Sequence, residues 1–328
     1  MLRLILVIPA VLVLFAWSLP VAAVQRVFVS AASGNDANIA TGCSPSAPCR
    51  WFAGAISAVD ANGEIVAMDS GAYGAVTITK SVSIISAPGA YAGMTVFSGD
   101  GVTIATPGVK VLLHGLSING MGGLHGINMS NGASLTVENC LITNMSSIGL
   151  RVSTAAKVRI LDSRIQANPY GVSIDSGASA LISGTRILDG SNTGLIVGGS
   201  NTETRVEVVR SESSGFLYGY RAYSGSSQIG SLRIRDSVAS RNLAGVVATS
   251  AGGTSSVSIS DSLISSNDSY GIWSDGSGAK VVASANRVIG NGTGLNQSLS
   301  SVFESTGDNT VRDNPTPSAG TITAVGTM

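Results

Sequence analysis

The chain repeats one phrase at a short period, and that repeat limits the folds open to it. "SLTVENCLITNMSSIGLRV" at 134–152 returns as "KVRILDSRIQANPYGVSI" at 157–174, "SLRIRDSVASRNLAGVVA" at 231–248 and "SVSISDSLISSNDSYGIW" at 256–273. A weaker copy, "KVVASANRVIGNGTGLNQ", occupies 280–297. Aligned on the residue after the first apolar pair, the copies form a column: Gly115, Asn139, Asp162, Gly184, Arg210, Asp236, Asp261 and Ala285. Its spacings are 24, 23, 22, 26, 26, 25 and 24 residues. Such a period, filled with short alternating apolar runs, signals a solenoid. Leucine-rich repeats share the length, but their recurring Leu framework and Asn/Cys ladder are missing.

Two-residue alternation divides each copy into three short strands and assigns their inward positions. The first strand follows a Gly column (Gly126, Gly149, Gly171, Gly194, Gly219, Gly245, Gly271, Gly294) and buries pairs such as Leu150/Val152 and Val172/Ile174. The second ends at the aligned column and buries Leu135/Val137, Val158/Ile160, Val206/Val208, Leu232/Ile234 and Val257/Ile259. The third runs on and buries Ile142, Ile165, Ile187 and Ile264. Three strands per coil, stacked coil on coil, predict parallel sheets around one core, with equivalent residues about 4.8 Å apart along the axis. The aligned column is then the sharp bend between second and third strands, where Asn, Asp and Gly tolerate unusual backbone angles. A second column, Asn144, Asn168, Asn242, Asn267, Asn291 and Asn314, marks the next turn. Cys140 falls in a file with Ser163, Thr185, Ser211, Ser237, Ser262 and Asn286, which makes it a packed thiol rather than a nucleophile.

Outside the repeats, Arg3 precedes an apolar run from Leu4 to Trp17, and Val21 and Ala23 supply a small-residue cleavage site, so residues 1–23 are expected to be a secretory leader. An uncleaved anchor is the alternative; no later segment has the apolar length to span a membrane as a helix. Cys43 and Cys49 flank "SPSAP" and are expected to close a small disulfide loop in an oxidising compartment. With zero net charge and 12% charged residues, the chain has no basic excess for nucleic acid. A secreted or periplasmic location follows as an expectation. "CRWFAGAISAVDANG" places Trp51, Phe52, Ala55, Ile56 and Val59 on one face of a short helix, which would cap the apolar core at the open end of the solenoid.

At this point the chain resembles a known family. "RVFVSAASGNDAN", "APCRWFAGAISAV", "GEIVAMDSGAYGAVTITKSVSII", the repeats and "STGDNTVRDN" are similar to the right-handed parallel β-helix superfamily typified by pectate lyases. They are closer still to secreted bacterial β-helix proteins that generally lack an assigned activity. The expected fold is all-β: a single-stranded right-handed parallel β-helix, three strands per coil and roughly ten coils, with a short N-terminal capping helix. The expected divisions are leader 1–23, cap 24–62, β-helix 63–314 and tail 315–328, the tail crossing the far end or hanging free.

No G-x-S-x-G elbow, P-loop, H-E-x-x-H, C-x-x-C or dinucleotide fingerprint is present. The two histidines, His114 and His125, are assigned structural or solvated roles. The resemblance implies that a substrate groove, if the chain has one, follows the outward face of the first strands: Arg151, Ser173, Ile196, Arg221, Val247, Trp273 and Asn296, then two residues on Ser153, Asp175, Gly198, Tyr223, Thr249, Asp275 and Ser298. Asp175 and Asp275 are four coils apart, on the order of 19 Å, whereas glycoside hydrolysis needs its carboxylates about 5–10 Å apart. A lyase of this superfamily would call for clustered acids around Ca²⁺ and an Arg or Lys base. Arg221 could serve as that base, but no acidic cluster adjoins it, so no metal or cofactor is assigned outside the enzyme reading. The remaining catalytic candidates are Arg221 and the pair Asp268 and Asp275, which bracket Trp273.

The same face carries six of the sixteen aromatic residues: Tyr170, Phe216, Tyr218, Tyr223, Tyr270 and Trp273. Rings stack on the apolar faces of pyranoses while polar neighbours hold hydroxyls, so Tyr170, Arg221, Tyr223, Tyr270, Trp273 and Asp275 are the candidate ligand-binding residues. Simple packing of loops onto the sheet is the alternative. N-x-S/T triplets at Asn128, Asn144, Asn267 and Asn291 are attributed to turn geometry. Three functions therefore stand: an exported, non-catalytic protein contacting polysaccharide or cell-envelope glycan; a polysaccharide lyase or glycoside hydrolase; and an adhesion or assembly protein stacking through its ends.

Overall fold

The computed structural model describes residues 24–198 and 201–326; the leader expected at 1–23 lies outside the described residues. Three parallel sheets of 13, 11 and 11 strands wind around one core among the described residues. One coil shows the plan: first strand Ile148–Val152, second strand Lys157–Leu161, third strand Arg164–Gln166. Each strand hydrogen-bonds to its counterparts one coil before and one coil after. Leu135, Val158, Ala180, Val206, Leu232, Val257 and Val281 form one continuous inward file, and all are buried. The sequence alternation therefore sets which side of each strand enters the core. No helix among the described residues is long and apolar enough to cross a membrane.

Every member of the bend column adopts the left-handed conformation, with φ between 46° and 69°. Asn, Asp and Gly accept this at little cost; Arg210 and Ala285 accept it at about 1–2 kcal/mol each because the neighbouring coils dictate the bend. The following residues run as a buried ladder in which the backbone N–H of each coil donates to the next coil's side chain: Cys140 to Ser163 Oγ, Thr185 to Ser211 Oγ, Ser211 to Ser237 Oγ and Ser262 to Asn286 Oδ1. Cys140 is buried, and desolvation pushes its thiol up to about 11. It is a packing residue.

The Gly column has a different origin. A Cβ on Gly149 would point into the core, 2.6 Å from Ile165 Cγ2 and 2.7 Å from the carbonyl oxygen of Gly171. These glycines let the first strand turn inward at its start, and the residue before each of them consequently faces out.

The structure corrects the sequence reading in four places. Asn144 does not belong with Asn168, Asn242, Asn267, Asn291 and Asn314. It takes the left-handed turn position (φ 60°), one residue earlier, and its amide bonds Asn119 at the surface. The other five are buried, and the last four form a continuous amide ladder. The second-strand sheet begins inside the stretch assigned to the cap, since Arg26–Val29 pairs with Gly63–Ala67 and buries Val27 and Val29. The tail past 314 continues the coils: Thr316–Ala319 adds to the first-strand sheet and Thr323–Ala324 to the second. Backbone pairing, with Ile322 alone packing against the core, holds that largely exposed segment, so it lacks a hydrophobic pattern. Finally, the helix Phe52–Ala58 buries Phe52, Ala55 and Ile56, but Trp51 stands outside it, 41% exposed, with the Arg50 guanidinium 3.8 Å from its ring centroid.

Cys43 and Cys49 are joined by a disulfide, with Cα atoms 5.1 Å apart, beside this helix. A second tie binds the same end. Asp69 accepts from Ser30 Oγ (2.5 Å), the Ala31 N–H (2.7 Å), the Ala32 N–H and Tyr73 OH (2.5 Å). Desolvation works against its charge, yet these four donors hold its carboxyl down at about 2, while burial and the Asp69 carboxylate push Tyr73 up to about 12.

Candidate functional site

The outward residues of the first-strand sheet lie on one face in the expected register. Arg151, Ser173, Ile196, Arg221, Val247, Trp273 and Asn296 are paired in turn across six coil boundaries. Gly198, Tyr223, Thr249, Asp275 and Ser298 form the parallel file two residues on. The residues preceding the Gly column form a third: Ile148, Tyr170, Thr193, Tyr218, Ala244, Tyr270 and Thr293.

Across four coils these files assemble one surface. On one coil the Arg221 guanidinium lies between two rings, 4.5 Å from the Tyr218 centroid and 5.0 Å from that of Tyr223. Its Nε donates to Thr249 Oγ1 of the next coil at 3.3 Å. Two coils on, Tyr270 and Trp273 pack with centroids 4.7 Å apart at 36°. The indole Nε1 donates to Ser298 Oγ (2.9 Å), and that hydroxyl donates to Asp275 Oδ1 (2.6 Å). The relay fixes the plane of the indole. Between the two clusters, Val247 is 0% exposed although it faces away from the core, so the flanking side chains close over it. Cation–π and ring contacts of this kind contribute about 0.5–1.5 kcal/mol each, which keeps the surface preformed.

The sequence-named residues divide accordingly. Arg221, Tyr223, Tyr270, Trp273 and Asp275 come together. Tyr170 shares the file of Tyr218 and Tyr270 but stands two coils before Tyr218. Phe216, expected on this face, is buried in the core, where it takes a position of the Asn ladder and its N–H donates to Asn242 Oδ1. Tyr218 is a central contact; its signal was its place immediately before a column glycine. Asp268 and Asp275 do not pair. Asp268 lies two residues before the strand Tyr270–Asp275 and Asp275 is its last residue, so the strand, which spans about 17 Å, separates them. Asp268 is exposed on the turn, and Asp275 is engaged with Ser298.

Elsewhere, His125 is buried and its Nδ1 lies 2.7 Å from Asp100 Oδ1, whose second oxygen accepts from Asn128 Nδ2 at 2.7 Å. Register pairing of His125 with Asp100 creates this cluster, and nothing in the local sequence marks it. His114 makes a half-exposed contact with Glu138 at 3.5 Å. Among the described residues, no three His, Cys, Asp or Glu side chains converge as metal ligands.

With three stacked parallel sheets and an extended outward face, the molecule falls in the class of parallel β-solenoids. The family described as "Right handed beta helix region" matches residues 65–229 and 100–315. The chain belongs to that family. Among curated proteins no sequence match is found. The fold is similar to pectate lyase Pel9A (17% identity, 87% of this chain and 79% of that one, TM-score 0.63). It is also similar to the polygalacturonase from Erwinia carotovora ssp. carotovora (10%, 93% and 97%, 0.60). A third likeness is to the Azotobacter vinelandii mannuronan C-5 epimerase AlgE4 A-module (10%, 80% and 91%, 0.58). At these identities the likeness concerns the fold.

Proposed function

We propose that this is an exported β-helix protein that contacts polysaccharide, without cleaving it, along the outward face of its first-strand sheet. The observation that carries the reading is the preformed surface around Trp273: an indole locked by Ser298 and Asp275, stacked on Tyr270, and continued by the Tyr218–Arg221–Tyr223 sandwich. Planar apolar faces bordered by hydrogen-bonding groups suit pyranose rings. Fold neighbours whose names specify pectate, mannuronan and polygalacturonate chemistry support a glycan as the ligand class. The non-catalytic reading rests on geometry, because Asp175 with Asp275 and Asp268 with Asp275 both lie farther apart than a hydrolytic pair allows. Export is supported by the expected leader and by the Cys43–Cys49 disulfide, a bond that persists in oxidising compartments.

Glycan-array and polysaccharide pull-down binding tests this. Trp273→Ala combined with Tyr223→Ala should weaken retention about tenfold or more; binding unchanged in that variant refutes the assignment of the face. Release of unsaturated products or reducing ends from uronate polymers, lost on Arg221→Ala or Asp275→Asn, would replace it with the enzyme reading.

A further inference from the structure

Resting on that reading of the face, we propose that its ligand is a neutral glycan with a two-residue repeat, such as a β-1,4-linked glucan or mannan, lying along the solenoid axis. The planar side chains recur with a period of two coils. In the file before the Gly column, Tyr170, Tyr218 and Tyr270 alternate with Thr193 and Ala244, both of which are buried. Three residues on, the same alternation places Arg221 and Trp273 on either side of Val247. Tyr218/Arg221 and Tyr270/Trp273 are thus equivalent platforms, each a ring packed against a second flat group, two coils apart. Tyr170 opens the series a further two coils back.

Coils stack at about 4.8 Å, so successive platforms stand about 9.6 Å apart. That is close to the length of a disaccharide in an extended, equatorially linked pyranose chain. In such a chain alternate rings are flipped, so the same face returns at every second residue. A ladder of rings at this interval meets one face of every second sugar, while the coils between, whose Thr193, Ala244 and Val247 are buried, leave the flipped sugars to bridge from one platform to the next.

The charges on the face oppose an acidic polymer. Arg221 is held between two rings and bonded to Thr249. Asp275 and Asp175 are carboxylates on the same face, each accepting from a neighbouring serine, Ser298 and Ser176. With Arg151 one coil before Tyr170's, cations and anions balance along the strip. A chain bearing a carboxylate on every residue would need an excess of cations, which this balanced strip does not supply.

Calorimetric titration of the intact protein with cello- and manno-oligosaccharides of two to six residues, beside oligogalacturonates of equal length, tests the inference. The neutral series should bind, with affinity rising about tenfold for each added pair of residues and little for each odd one. Tyr218→Ala, which removes the middle platform, should remove the gain between two and four residues, and Tyr218→Phe, which keeps the ring, should restore it. A smooth rise per single residue, or an unchanged length profile in Tyr218→Ala, overturns the two-coil match. Oligogalacturonate binding that depends on Trp273, without binding of the neutral series, overturns this inference and leaves the polysaccharide reading standing. Absence of binding to every glycan on an array removes both.

Discussion

Replacing Asn267 with Ala removes the middle of the buried amide ladder, and its cost follows from counting what is left without a partner. Asn267 Oδ1 accepts from the Asn242 N–H and from Asn242 Nδ2, each at 3.1 Å. The other Nδ2 proton of Asn242 is already given to the Ser213 carbonyl. The substitution therefore orphans two donors on a residue that is 1% exposed, and it also takes the amide donor from the Ala239 carbonyl. At about 1–3 kcal/mol for each buried unsatisfied group, the loss should be about 2–6 kcal/mol, towards the lower end if water enters the space left by the amide. Asn314 supplies the internal control. It accepts from the same two groups of Asn291, at 2.8 and 3.0 Å; Asn291 is itself buried, but Asn314 covers it at the end of the ladder among the exposed Arg312, Asp313 and Pro315, so truncating Asn314 opens the freed donors to water. Asn314→Ala should cost about 1 kcal/mol. Urea denaturation followed by far-UV circular dichroism, with both variants measured beside the parent, reads the difference directly. Equal destabilisation by the two, or a loss below about 1 kcal/mol for Asn267→Ala, would refute the argument that buried ladder satisfaction holds these coils together.

Three further outcomes follow from other contacts. Gly171→Ala would place a Cβ 2.3 Å from Ile187 Cγ2 and 2.5 Å from the Gly194 carbonyl oxygen. Because a backbone atom cannot rotate away, the loss should reach about 1–3 kcal/mol and appear as a lowered Tm; an unchanged Tm would show that the coils have slack. Asp69 has a folded-state pKa of about 2, below its ordinary 3.8. Its contribution is thus fully present above about pH 4 and is lost as pH falls through 2, on the order of 1–2 kcal/mol after allowing for the solvent that reaches it. Urea midpoints at pH 5 and pH 2.5 should show this drop in the parent and a smaller one in Asp69→Asn; equal drops would assign the acid sensitivity elsewhere. Ser298→Ala removes the hydroxyl that orients Trp273, so it should weaken glycan retention several-fold with little change in urea midpoint. Full retention would show that stacking on Tyr270 alone fixes the indole.

Much of the architecture was legible because a solenoid's contacts are local copies of one pattern. Alternation in "SLTVENCLIT" dictates which side of each strand is apolar, and the left-handed column from Gly115 to Ala285 shows where the backbone must bend. Those constraints act within one coil, so the sequence by itself determined the three strands, the period and the outward file that includes Arg221 and Trp273. What it did not determine depends on register between coils or on which neighbour fills a space. Asn144 and Asn168 look alike in sequence, yet a one-residue offset sends one amide to the surface and the other into the core. In sequence Phe216 groups with Tyr218, but an inward ladder position captures it. Asp100 and His125 are 25 residues apart and meet only because their coils stack. The same is true of the Trp273–Ser298–Asp275 relay and of the two-coil alternation of rings: each joins side chains from separate coils, and only stacking at the spacing of hydrogen-bonded strands brings them within reach.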